Sequence, residues 1–160
     1  MKKQLGVLVC LVLVAVLTVS TAAMAFSRNL TGSWTTPSGR TFVVVHNTST
    51  GEALFTTPIN SPNLPITSSD FKGIVGGANG STEFRFIGSA EDVAVRTKTG
   101  ITCTISDRML FADGQVIGQF PQRNLHMKQC STAGSVKCTK DDGTVVKEDL
   151  IANDCSGTWR

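Results

Sequence analysis

Short runs of β-branched and aromatic residues, separated by glycine-containing turns, limit the folds open to this chain from Thr41 onward. The run RTFVVVHN meets the turn residues 48–51 and returns as EALFTT, which predicts a first hairpin over residues 40–57. Three later dipeptides can supply the positive φ values of tight hairpin turns, namely Asn79-Gly80, Asp113-Gly114 and Asp142-Gly143. We therefore predict four hairpins in an all-β fold, an antiparallel meander forming a small barrel, with a β-sandwich as the alternative.

One of these strands indicates which of its faces is buried. In STEFRFIG, Phe84 and Phe86 share one face. The charged residues Glu83 and Arg85 share the other, as expected for a strand with one buried and one solvated face. We expect both phenylalanines to point into the core. The run from Phe42 to Val45 is apolar at every position, so it gives no comparable assignment.

The segment PINSPNLP, residues 58–65, interrupts the strand pattern. It carries three prolines, which cannot donate hydrogen bonds to a sheet. We expect an irregular loop across one end of the barrel or sandwich. This loop is the best candidate for a long functional loop, and a plain connection between two strands is the alternative.

Residues 1–25 have the three parts of a secretory signal peptide. Two lysines supply the positive start, an apolar run follows, and Ala23-Met24-Ala25 provides the small residues of a cleavage site. We predict that cleavage leaves residues 26–160 as a single all-β domain, secreted or periplasmic and without membrane attachment. An uncleaved signal anchor is the alternative, since residues 5–25 are nearly long enough to span a bilayer.

Four cysteines remain after the leader, which takes Cys10 with it. An even number of cysteines in an oxidising compartment predicts two structural disulfides, formed among Cys103, Cys130, Cys138 and Cys155, with three pairings open. Their spacing contains no Cys-x-x-Cys pair, which argues against zinc, and we expect no metal ligands.

The mature chain is close to electrically neutral. The sequence has 15 Lys and Arg against 12 Asp and Glu, a formal charge of +3, and removing Lys2 and Lys3 leaves 13 against 12, or about +1. No run of basic residues is interleaved with aromatic residues. We therefore expect no nucleic-acid partner.

The segment NLTGSWTTPSGRTFVVVHNTSTGEALFTT, residues 29–57, resembles the first hairpin of the avidin family, with its LTG-x-W opening, Ser-Gly turn, Gly-Glu return and Thr-Thr exit. A Gly-x-Trp on the first strand is similar, more broadly, to the calycin group of small barrels, which includes lipocalins and avidins. The resemblance implies a calycin-like small β-barrel whose first-strand Trp closes one end and packs against a basic residue of the last strand. In this chain the implied barrel-closing pair is Trp34 and Arg160.

The two ends of the mature chain carry similar motifs. Thr31-Gly32-Ser33-Trp34 is mirrored by Ser156-Gly157-Thr158-Trp159, so we expect the terminal strands to pair or to flank one another. Members of the avidin family wall their biotin pocket with further tryptophans and phenolic contacts, whereas this chain has only Trp34 and Trp159 and no Tyr. The resemblance therefore supplies the architecture and no ligand.

Few residues of the chain suggest chemistry. Only His46 and His126 could serve as imidazole bases, and no Gly-x-Ser-x-Gly elbow, phosphate loop or dinucleotide motif is present. We assign no catalytic residue and expect no cofactor. Our leading hypothesis is an exported, non-enzymatic β-barrel that binds a small apolar ligand or a protein partner at its mouth. The alternatives are an inhibitor of a secreted hydrolase and a small secreted hydrolase.

Overall fold

The structure, a computed structural model, describes residues 26–58, 68–78, 80–97, 99–119 and 122–160. The predicted signal peptide and most of the PINSPNLP loop lie outside these residues. The described residues form strands and no helix, which confirms the all-β prediction. No helix among them is therefore long and apolar enough to cross a membrane. The strands are β1 (Gly32–Thr35), β2 (Thr41–His46), β3 (Glu52–Pro58), β4 (Ser68–Gly76), β5 (Glu83–Ala90), β6 (Val93–Arg96), β7 (Thr102–Gln119), β8 (Gln122–Thr139), β9 (Val145–Asp154) and β10 (Gly157–Trp159).

These strands belong to one antiparallel sheet with an up-and-down order. β5 and β6 follow one another along the same edge of β7, and β9 and β10 do the same along β8. The two ends of the sheet meet, because the backbone N–H groups of Thr35 and Arg160 each donate to the other residue's carbonyl, at 2.7 and 3.0 Å. The sheet is thus a meander curled into a small barrel rather than a sandwich, and its terminal strands are neighbours as predicted.

The barrel interior is filled by side chains that alternate inward along each strand. Phe84 and Phe86 are buried, as predicted. In β2, Phe42 and Val44 are fully buried, whereas the valines that follow each of them are about half exposed. The apolar run of β2 therefore has one buried and one solvent-facing side. The largest fully buried side chains are those of Trp159, Phe26, Phe42, Phe55, Phe86, Leu30, Leu110, Leu125, Met127, Val44 and Val75.

Three of the four predicted hairpins are confirmed, those joining β2 to β3, β4 to β5 and β8 to β9. The hairpin predicted at Asp113-Gly114 is wrong, because both residues lie inside the 18-residue strand β7. A Cβ on Gly114 would lie 2.9 Å from the carbonyl oxygen of His126 and 3.1 Å from the Phe84 ring. This glycine permits the close approach of neighbouring groups rather than a turn.

The cysteines form two bridges, Cys103–Cys138 and Cys130–Cys155. The prediction of two disulfides is confirmed, and the structure selects one of the three pairings. Cys103 and Cys138 are direct cross-strand partners on β7 and β8. Cys155, between β9 and β10, reaches back to β8 within the main core. Two disulfides indicate an oxidising, exported environment.

Candidate functional site

The two ends of the barrel differ in how they are filled. At one end, which we call the packed end, residues 26–31 lie against the core, with Phe26 and Leu30 fully buried. Phe26 contacts Phe84, with ring centroids 5.6 Å apart, and the Leu30 N–H donates to Nδ1 of His46 at 3.3 Å. At the other end, which we call the cavity end, β3 ends and β4 begins beside a cavity that is partly open to solvent.

The cavity lies between β3 and β4 on one side and β7, β8 and β9 on the other, and has a volume of about 190 Å³. Most of its wall is apolar and comes from Phe71 on β4, Ile105 on β7, Ile151 on β9 and their neighbours. The other lining residues are Arg40, Thr57, Ser69, Arg108, Thr132, Ala133, Gly134 and Asn153. Among the described residues no Asp or Glu lines the cavity, and the charged residues that do, Arg40 and Arg108, are both positive.

A β-bulge in β7 turns Arg108 toward this cavity. Asp107 has a left-handed φ of 53°, at the point where the register between β7 and β8 shifts. The extra residue moves the inward-facing positions from the odd-numbered Ile105 to the even-numbered Arg108 and Leu110. Arg108 is consequently only 8% exposed although it carries a full positive charge.

Hydrogen bonds fix the guanidinium of Arg108. Nε donates to the carbonyl oxygen of Glu91 at 3.1 Å, and Nη2 donates to the same atom. Nη1 donates to Oγ of Ser69 at 2.8 Å. These bonds use three of the five N–H groups that a guanidinium offers. None of the ion pairs found among the described residues includes Arg108.

Three buried hydroxyl groups also line the cavity, those of Thr57, Ser69 and Thr132. Ser69 accepts the bond from Arg108, and Thr132 accepts one from Nδ2 of Asn153 at 3.4 Å. Oγ1 of Thr57 has no hydrogen-bond partner within the described part of the chain. An unsatisfied buried hydroxyl costs about 1–3 kcal/mol. Thr57 therefore offers a hydrogen bond to a molecule in the cavity.

The predicted functional loop lies outside the described residues apart from Pro58. β3 ends at Pro58 and β4 begins at Ser68. Thr57 and Ser69, just inside these two strands, line the cavity.

Arg108 and Thr57 were not among the residues that the sequence analysis selected. A signal for Arg108 does exist, because in DRMLFA the period of two places it on the same face as the apolar Leu110 and Ala112. Thr57 belongs to the Thr-Thr exit by which residues 29–57 resemble the avidin hairpin, but the sequence analysis took no ligand site from that resemblance.

Arg108 also lines a second, more polar cleft of about 470 Å³. Three carboxylates line it, those of Asp70, Glu91 and Asp92. Glu91 is 3.7 Å from Lys72, and both side chains are largely exposed. None of the three carboxylates forms an ion pair with Arg108. Negative charge near this site is therefore solvated, whereas the positive charge of Arg108 is buried.

His46 is buried at the packed end. Because its Nδ1 accepts the Leu30 N–H, the neutral ring carries its proton on Nε2. Nε2 has no hydrogen-bond partner among the residues described. Burial lowers the pKa of His46, and a backbone interaction with Arg28 partly offsets this effect. His46 is therefore held in its neutral form.

His126 lies on β8, with Nδ1 3.4 Å from Oγ1 of Thr158. Neither this ring nor that of His46 hydrogen bonds to a carboxylate in the described part of the chain. The same residues contain no group of three His, Cys, Asp or Glu side chains that could hold a metal ion.

The cation at Trp34 differs from the one that the resemblance implied. Arg160 pairs with Thr35 through the backbone, so these two side chains share the outer face, while Trp34 faces inward. The guanidinium over the Trp34 ring is that of Arg123 on β8, with Cζ 5.3 Å from the ring centroid. Arg123 also donates to two backbone carbonyls of the segment before β1. The pairing of Trp34 with Arg160 is thus corrected to Trp34 with Arg123.

The two mirrored tryptophan motifs are held by the same contact. Nε1 of Trp34 donates to the carbonyl of Leu30 at 2.9 Å, and Nε1 of Trp159 donates to the carbonyl of Cys155 at 2.7 Å. In each case the acceptor lies four residues earlier in the chain, and both rings are buried. The sequence repeat therefore reflects a structural repeat at the junction of the terminal strands.

Comparison with known proteins adds no assignment to this geometry. No protein-family model matches the chain, no curated protein matches it, and no solved structure matches it. A functional proposal for this protein consequently depends on the cavity and the residues that line it.

Proposed function

We propose that this protein is a secreted or periplasmic, non-enzymatic, calycin-like barrel that binds a small, largely apolar ligand in the cavity at its cavity end. The observation that carries this proposal is the cavity of about 190 Å³, most of whose wall is apolar, inside a barrel whose other end is filled by residues 26–31. The signal-peptide pattern of residues 1–25 and the two disulfides support export.

The cavity is partly open to solvent, and its size limits what it can hold. An apolar cavity of roughly 150 Å³ accepts a benzene molecule. A space of about 190 Å³ between Phe71, Ile105 and Ile151 can therefore hold a ring or a short aliphatic body. Mouths of β-barrels are also a common place for ligand sites.

A protein partner is the second candidate, and β9 is the observation that favours it. All ten residues of β9 are exposed, and Leu150 is 88% exposed. Among the described strands β9 pairs only with β8, so its other edge has free N–H and C=O groups. Exposed edge strands can add a strand from another chain. Inhibition of a secreted hydrolase would be one use of such a surface.

Two neighbouring residues of β9 allow a direct test. Ile151 lines the cavity, whereas Leu150 points to the opposite face of the strand. An Ile151→Trp variant should fill the cavity, and Leu150→Trp adds the same side chain outside it. Native mass spectrometry of protein purified from its own host should show a retained small molecule on the wild type and on Leu150→Trp, and none on Ile151→Trp.

The same spectra separate the two candidates. Equal retention of the small molecule by both variants would contradict a ligand in the cavity. A bound protein that is lost from Leu150→Trp and kept by Ile151→Trp would favour the second candidate instead.

A further inference from the structure

Arg108 is a buried positive charge that forms no ion pair within the described part of the chain. It is 8% exposed, and it contacts one backbone carbonyl and one hydroxyl, both of them uncharged groups. Burial of a charge is costly unless the charge is paired, and buried charges in proteins are usually paired or bound to an ion. The side chain therefore lacks the partner that its environment calls for.

No carboxylate of the chain can be that partner without a change of structure. All 12 Asp and Glu residues lie within the described residues, and none forms an ion pair with Arg108. Residues 59–67 contain neither Asp nor Glu. The carboxylates of Asp70, Glu91 and Asp92 line the polar cleft that Arg108 also lines, but none of them forms an ion pair with it. An anion in direct contact with the guanidinium would therefore come from another molecule.

A second observation points into the same cavity. Thr57 is 5% exposed, lines the cavity, and has an Oγ1 without a hydrogen-bond partner in the described part of the chain. Arg40, another cation, also lines the cavity and is exposed. An unsatisfied buried hydroxyl, a buried guanidinium and a second cation thus lie around a cavity whose wall is mostly apolar.

We propose that the ligand is a small carboxylate with an aromatic or short aliphatic body. Its head accepts hydrogen bonds from the two remaining N–H groups of Arg108 and from the hydroxyl of Thr57. The planar guanidinium suits a carboxylate because it can donate two parallel bonds to it. The body lies against Phe71, Ile105 and Ile151. This inference rests on the proposed function and adds the charge that the ligand must carry.

Benzoate and benzamide provide matched probes, since they share a ring of the size that fits the cavity and differ in charge. Each is titrated calorimetrically into the disulfide-bonded wild-type protein at pH 7, where a carboxylate is ionised. We expect benzoate to bind at least about tenfold more tightly than benzamide, because charge-assisted hydrogen bonds are about twice as strong as neutral ones.

Variants assign the preference to the cavity. Arg108→Met should remove the preference for benzoate, whereas Arg85→Met makes the same charge change on the outer face and should keep it. Thr57→Val removes the unsatisfied hydroxyl without changing the shape of the side chain, so it should fold at least as stably as the wild type. It should weaken benzoate binding about fivefold, the value of one hydrogen bond.

The outcomes separate this inference from the proposed function. Equal affinity for benzoate and benzamide would overturn the carboxylate while leaving a ligand cavity in place. Binding of neither compound would also overturn the carboxylate, and the native mass spectra of the Ile151→Trp and Leu150→Trp variants then decide whether the cavity holds another ligand. If Arg108→Met does not fold, two measurements test the carboxylate instead. They are the preference of the wild type for benzoate over benzamide and the weaker benzoate binding expected of Thr57→Val.

Discussion

The packed end and the cavity end each bury one basic side chain, and the two are accommodated differently. His46 at the packed end can lose its proton, and burial lowers its pKa so that it is neutral. Arg108 at the cavity end cannot lose its charge in a protein. The comparison shows that burial alone does not indicate a ligand. A buried base that can become neutral needs no counter-ion, whereas a buried guanidinium does.

The two ends also differ in what their contacts achieve. At the packed end, Trp34, Leu30 and Arg123 are joined by an indole hydrogen bond and a cation–π contact that fix the segment before β1. At the cavity end, apolar side chains face a space instead of one another. We expect substitutions to reduce stability mainly near the packed end and core, and to change binding mainly at the cavity end.

The largest loss of stability is expected from the disulfide in the core. Loop-closure entropy assigns about 3.5 to 4 kcal/mol to each bridge, because their sequence separations, 35 and 25 residues, are similar. Cys130 and Cys155 also belong to the main core cluster. Replacing both by Ala should therefore cost about 5 kcal/mol in the free energy of unfolding, measured by urea titration with circular dichroism.

The matched variant replaces Cys103 and Cys138, which lie outside the main core cluster. We expect a loss of about 4 kcal/mol. A larger loss from this pair than from the core pair would show that the ends of β7 and β8 matter more for stability than the core does.

A moderate loss is expected from Trp34→Phe. The change removes the Nε1–H that bonds to the Leu30 carbonyl and weakens the contact with Arg123. A buried carbonyl left without a donor and a reduced ring together should cost about 2 kcal/mol. Ile151→Val at the cavity end is the control, with an expected cost of about 0.5 kcal/mol because Ile151 is partly exposed. Equal costs in urea unfolding would contradict the difference between the two ends.

Much of this fold follows from local sequence patterns. The period of two in STEFRFIG predicts the burial of Phe84 and Phe86, and glycine-containing turns predict three hairpins. The cysteine count predicts two bridges, although not their pairing. These features are set by a few adjacent residues, so the sequence alone contains them.

The features that the sequence did not predict depend on neighbouring strands. Gly114 is required by its neighbours His126 and Phe84, which are distant in sequence. The bulge at Asp107 reverses which residues of β7 face inward. An alternation counted from the start of the strand would place Arg108 on the outer face, so it does not predict that Arg108 is buried. The cavity therefore depends on the register between β7 and its neighbouring strands, and no short segment of sequence determines that register.

The pH dependence of stability should reveal the neutral state of His46. Its folded pKa lies below the ordinary value near 6.5, so the unfolded chain binds more protons between those two values. The neutral ring makes its full contribution to stability above pH 6.5, and this contribution is lost as the pH falls below that value. Urea midpoints at pH 7, 6 and 5 should therefore decrease for the wild type.

His46→Gln is the control, because it keeps a hydrogen-bond acceptor and does not titrate. The difference in unfolding free energy between the wild type and this variant should shrink as the pH falls from 7 to 5. A difference that does not change with pH would show that the pKa of His46 is the same in the folded and unfolded chain, which would contradict a pKa lowered by burial.

The smallest effect is expected from the pair formed by Arg96 and Asp141, which lies on the surface and joins the end of β6 to the β8–β9 turn. Arg96 donates two hydrogen bonds, at 2.8 and 2.7 Å, and this contact lowers the pKa of Asp141. Stability from this carboxylate is present above its ordinary pKa and is lost as the pH falls through the folded pKa. Both side chains are exposed, so salt should screen the pair and Asp141→Asn should change the urea midpoint only slightly.

Asp142→Asn is the control, because the lowered pKa of Asp142 comes from Thr144. Urea midpoints are measured at about 0.05 and 1 M NaCl for the wild type and both variants. The difference between wild type and Asp141→Asn should become smaller at high salt, and it should do so more than the difference between wild type and Asp142→Asn. Equal salt dependence of the two differences would show that the ion pair contributes nothing to stability.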